Sequence, residues 1–194
     1  MPAQQQPLQS SLAITLQIVS IVFYTFIAFL CIGLPIAVLP GYVHEQLGFS
    51  AIVAGLVIGS QYLATLLSRP MAGRMSDTLG TKRAIVYGLS GIVLSGLLTL
   101  ISTLLQDFPV PSLIILIIGR LLLGIAQGLI GVGTISWCMG QVGVEHTARS
   151  IGWNGIASYG AIAIGAPLGV VMVADYGFTS LGIALSVLAA AALV

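Results

Sequence analysis

The stretch "LIILIIGRLLLGIAQGLIGVG", residues 113–133, carries a single charge, Arg120, in 21 residues. At about 1.5 Å of rise per residue, a helix of that length matches a hydrocarbon core of about 30 Å. A spanning strand needs only about 9–11 residues and alternates apolar with polar, which this stretch does not. A helix also satisfies its own backbone in lipid. Similar runs recur along the chain. Of its 194 residues 58% are hydrophobic and 6% are charged, against about 25% charged in soluble domains. Too few polar side chains remain to cover a water-facing surface. The reading is an all-α membrane protein with the lipid bilayer as its first partner.

Six spans are predicted, at about 12–39, 51–71, 84–105, 112–138, 148–174 and 178–194. The first is broken at Gly33 and Pro35. Residues 1–11 form a polar tail. The connections are rich in Gly, Pro and charge, as turns require. Four of the six basic residues, Arg69, Arg74, Lys82 and Arg83, crowd into "RPMAGRMSDTLGTKR", residues 69–83. Arg149 follows the fourth span, and the other connections carry no Lys or Arg. Basic residues mark the cytoplasmic side, so both termini are expected there. The last span is short, about 26 Å as a helix, and it stops at "AAAALV" with no charged or aromatic anchor. This ending predicts a chain truncated at its C-terminus.

The net charge of +1 implies no nucleic-acid partner. Cys31 and Cys138 sit inside apolar runs and suit neither a metal site nor a redox pair, so neither metal nor cofactor is expected. Arg120 is the strongest single signal, because Arg in a span costs about 2.5–3.5 kcal/mol on insertion scales. Gln127 lies seven residues on, near the same helix face. With Gly124 and Gly128 the pair predicts a polar cavity, and Asn154, Tyr159 and Gln61 are further pathway candidates. Ala161, Gly165 and Gly169 recur every four residues and predict a close helix–helix contact, with Pro167 bending that helix. All five acids, Glu45, Asp77, Asp107, Glu145 and Asp175, fall in connections or at span ends. "GLSG", residues 88–91, matches a short intramembrane serine-protease pattern. Such an enzyme needs a His to activate Ser90, and His44 and His146 both lie outside the spans. No enzyme is predicted.

Three motifs then stand in order on successive spans. "GRMSDTLGTKR", with Gly73, Asp77, Gly80 and Arg83, resembles the loop 2–3 signature of the major facilitator superfamily, G-x-x-x-D-x-x-G-[RK]-x-[RK]. "GRLLLGIAQG" resembles that family's span 4 motif. "GAIAIGAPLG" resembles the span 5 motif G-x-x-x-G-P-x-x-G-G. The wider sequence is similar to bacterial arabinose-efflux-like permeases. Thr81 stands where the family usually has Arg or Lys, with Lys82 and Arg83 as neighbours that can substitute. Ala166 separates Gly165 from Pro167, and Gln127 stands where related transporters carry an acid.

The resemblance implies the first six-helix half of a twelve-helix fold that rocks around a central site. It implies Asp77 as a gate residue gripping the other half, Arg120 as a residue of the substrate or proton path, and the span 5 stripe as a face against the other half. The implied activity is proton-coupled efflux of a small molecule by an antiporter in the bacterial inner membrane. The missing half, or a second copy, is then the required partner. The alternative is a six-span sensor or assembly partner that transports nothing.

Overall fold

The computed structural model describes residues 11–193 and is helical nearly throughout. The main elements are α1 (Ser11–Ile36), α2 (Ala51–Leu79), α3 (Thr81–Leu104), α4 (Pro109–Val142), α5 (Thr147–Tyr176) and α6 (Thr179–Ala191). Short helical pieces at Leu39–Gly41, Tyr42–Gln46 and Val144–His146 connect them. Helices α1 to α5 are long and apolar enough to cross a membrane, whereas α6 has 13 residues. Most of the expected tail (1–10), and Val194 at the other end, lie outside the described residues, and Ser11 already begins α1.

The helix ends differ from the predicted breaks for physical reasons. Gly33 and Pro35 do not interrupt α1, which runs on to Ile36 with Pro35 inside it. The basic stretch is not a loop. α2 continues through Pro70 to Leu79, so Gly73, Arg74 and Asp77 are helical. Charge takes a helix out of the apolar slab without unwinding it. α4 and α5, at 34 and 30 residues, likewise overrun a 30 Å core.

Only Gly80 separates α2 from α3. Its φ of 94° and ψ of 149° lie where residues with a Cβ are strained. Gly80→Val is therefore expected to cost about 1–3 kcal/mol, although a side chain there would meet no neighbour. A lowered melting temperature of the purified protein would show it, and an unchanged one would refute the backbone argument.

α4 is the central helix, packed on α2, α3 and α1, while α1 lies along α5 and α3 along α6. The core runs through Leu34, Leu89, Ile92, Leu116, Leu123 and Ile130. Large apolar side chains such as Leu56, Leu63, Leu66 and Leu67 cover the outside, a surface suited to lipid and not to water. One end of the bundle is plugged. Tyr42 stacks on Phe178 with ring centroids 3.9 Å apart. Its hydroxyl reaches the Ser102 carbonyl and the Ser112 hydroxyl, both at 3.3 Å. Ser112 donates to the Ser102 carbonyl at 2.8 Å, and Ser102 donates to the Ser112 carbonyl at 3.0 Å. These bonds tie α3 to α4 beneath the tyrosine.

Candidate functional site: a polar cavity among four helices

The other side of the bundle is hollow. A cavity of about 290 Å³ opens between α1, α2, α4 and α5. Thr65, Arg69, Gln127, Ser136 and Asn154 supply its polar wall, and Phe29, Val132 and Ile135 much of its apolar one. The helices meet here through hydrogen bonds that leave donors over. Thr134 Oγ1 lies 2.8 Å from Thr25 Oγ1, which lies 2.9 Å from Asn154 Oδ1. Thr134 donates to the Ile130 carbonyl at 2.8 Å and Thr25 donates to Asn154 Oδ1, so the Asn154 oxygen is engaged from α1 and its Nδ2 is a donor beside the cavity. On the opposite wall Thr65 Oγ1 sits 3.0 Å from the Gln61 and Gly124 carbonyls and 3.1 Å from Gln127 Oε1. Its one proton serves these acceptors in turn, and Gln127 Nε2 remains a donor beside the cavity.

Of the five pathway candidates, the cavity gathers Gln127 and Asn154. Gln61, Arg120 and Tyr159 are not in its wall. Gln61 is buried in the α2–α4 contact, with Nε2 unpartnered. Arg120 is 1% exposed, and its Nε and Nη2 have no hydrogen-bond partner. Tyr159 is 77% exposed on the outside of α5. Gly124 and Gly128 serve mainly to let α2 approach: a Cβ on Gly124 would fall on the Gln61 carbonyl, and one on Gly128 on the Ser68 hydroxyl.

The basic motif surrounds the Gly80 turn. Asp77, Lys82 and Arg83 are exposed, and Gly73 is half-buried on α2. The Lys82 ammonium stands 5.0 Å from the centre of the Trp137 ring, a cation–π contact that ties the start of α3 to α4.

The small-residue stripe has a partner within this same bundle. A Cβ on Gly165 would lie 3.0 Å from Gly33 Cα, and one on Gly169 would collide with the Leu34 carbonyl. Ala161, Gly165 and Gly169 are buried there, while Pro167 faces outward. The stripe is therefore not a free face awaiting another half. α1 already occupies it, and Gly33 is the matching notch. Ser90, of the protease-like stretch, is exposed and donates to the Val86 carbonyl at 2.9 Å.

Two residues of the site escaped the sequence reading. Arg69, in the sequence one of the charges that set topology, is the charged residue in the cavity wall and is exposed there. Its signal was Gln61, Thr65 and Arg69 at four-residue spacing, one face of a helix. Thr25, fully buried, positions Asn154, and a lone Thr in an apolar run carries no such message.

Residues 21–194 match the model of the Major Facilitator Superfamily. A protein of Pseudomonas aeruginosa (strain LESB58) described as an uncharacterized MFS-type transporter is 56% identical over 163 residues, 84% of this chain and 40% of that protein. One of Burkholderia pseudomallei (strain 1106a), similarly described, is 57% identical over 162 residues, again 84% of this chain and 40% of the relative. The chain thus spans about 40% of the length of the curated relatives it matches.

Proposed function

The chain belongs to the Major Facilitator Superfamily, and from that premise we propose that it forms the N-terminal part of a secondary transporter exporting a small solute against protons. Membership sets this multi-pass membrane protein among transporters and not enzymes. The observation that carries the reading is the cavity: a hollow of about 290 Å³ with Thr65, Arg69, Gln127, Ser136 and Asn154 in its wall, in a bundle whose outside is apolar. Polar residues at membrane depth are costly and are kept at solute and ion pathways. The plug of Tyr42 at one end and the hollow on the other side suit one state of an alternating-access cycle.

In this reading both termini are cytoplasmic and the membrane is the bacterial inner membrane. Gln127 and Asn154 contact the solute, and Arg120 is the buried cation of the path. Gln61 supports the wall from the α2–α4 contact. Tyr159, on the outer face of α5, is available to the part of the protein beyond this chain. Asp77, with Gly73, Gly80, Lys82 and Arg83, forms the gate at the cytoplasmic end. The resemblance to arabinose-efflux-like permeases supports export as the direction.

The test is reconstitution. The chain, fused to the C-terminal remainder of the Pseudomonas aeruginosa relative, is placed in proteoliposomes with an imposed pH gradient and screened against small solutes. Solute movement that collapses with the gradient is expected. Solute movement indifferent to the gradient would remove the proton coupling. No movement of any solute, with the protein folded, would favour the sensor or assembly role.

A further inference from the structure

The polar wall of the cavity is unbalanced. Arg69 contributes a full positive charge, Asn154 Nδ2 and Gln127 Nε2 contribute N–H donors, and Ser136 a hydroxyl. None of the five acids lines it. The amide oxygens that would accept from a neutral polyol are turned to Thr25 and Thr65. Arg120, buried in the same bundle without a hydrogen-bond partner on Nε or Nη2, adds a second positive charge. Arg69 is exposed at the cavity mouth and Arg120 is buried, and with no acid in the wall the two give the cavity a positive potential. Phe29, Val132 and Ile135 supply apolar wall beside these donors.

The alternative meaning of Arg69 is an anchor at the membrane surface, one of the four basic residues around Gly80. The other three do not line the cavity, and Arg69 does. It also lies one helical turn beyond Thr65, whose hydroxyl touches Gln127.

We propose that the cavity is an anion site and takes a small carboxylate with an apolar body, its carboxylate on Arg69, Asn154 and Gln127 and its body against Phe29. The proposal rests on the solute-pathway reading of the cavity and narrows it. A neutral sugar gains no charge-assisted bond from Arg69. A guanidinium with two amide N–H groups matches both carboxylate oxygens, and such charge-assisted bonds are the strong ones.

The experiment is calorimetric titration of the full chain in phosphatidylcholine nanodiscs, with benzoate, its neutral isostere benzamide, and arabinose as probes. Benzoate is expected to bind at least about tenfold tighter than benzamide, the difference that one hydrogen bond to a charged group makes. Arg69→Gln should remove that preference while benzamide binding persists, which shows that the cavity is intact. Arg69→Lys should keep part of it. Equal binding of benzoate and benzamide, tighter binding of arabinose, no saturable benzoate binding, or a preference that survives Arg69→Gln would each overturn the proposal. An anionic lipid headgroup offers similar chemistry. If phosphatidylglycerol in the nanodisc abolishes benzoate binding, the site belongs to lipid and the small-carboxylate assignment falls. Binding is read here without transport. A benzoate-selective protein that moves no solute would sink the transport reading alone, and transport without charge preference would sink this one alone.

Discussion

Replacing Arg120 with Met is expected to stabilise the bundle and abolish transport. The guanidinium is 1% exposed, and two of its nitrogens, Nε and Nη2, have no partner. The acids of the chain lie in the connections or near helix ends, so none offsets the charge from within the middle of the bundle. Exchanging buried charged groups for apolar ones of similar volume is often stabilising, by about 1–4 kcal/mol. Met has comparable length and helix propensity. For a chain of this size that corresponds to a rise in melting temperature of several degrees, at about 2–4 °C per kcal/mol. A residue that opposes folding and is nonetheless present points to use. In the fused transporter the same variant should lower pH-driven solute flux to background. Arg120→Lys, which keeps the charge but not the planar fork, should retain a fraction of it. A Met variant that is less stable and fully active would contradict both halves of the argument.

The second large effect is steric. Gly169→Val places a Cβ on the Leu34 carbonyl, so α1 and α5 must separate along their parallel contact. Carbonyl oxygens of a helix cannot rotate aside as a side chain can. Overpacking of this kind costs about 3 kcal/mol or more, and the variant should melt well below the parent. Gly160→Ala, on the same helix, is the control. A Cβ there meets nothing within 4 Å, and its effect should stay within about 0.5 kcal/mol. If both variants melt alike, the seam is not what holds α5 in place.

The spans could be read from the sequence because their apolar length has no other use, and Arg120, Gln127 and Asn154 stood out because polar groups in such runs are rare. Orientation around each helix axis could not be read. In a soluble protein one face is apolar and one polar, so periodicity tells which side is buried. Here lipid and core are both apolar, and Leu66 on the outside of α2 looks like Leu116 inside the bundle. That is why the small residues Ala161, Gly165 and Gly169 predict a close helix contact but not its partner, which is α1 with the complementary Gly33. It is also why Tyr159 and Gln127 stood side by side as candidates although the first faces outward. Arg69 was hidden differently. Its charge had a sufficient explanation in topology, and only the position of Thr65 and Gln127 beside it reveals the second use.

The Gly80 turn has a consequence for how the protein is made. A single residue separates α2 from α3, so the two are expected to enter the bilayer together, as a pair. Such a pair is a hairpin, with the exposed Arg74, Lys82 and Arg83 around its tip. An insertion of flexible residues at Gly80 would uncouple them, and the first fault to appear would then be in biogenesis, as inverted or half-inserted chains, before any loss of solute movement could be measured.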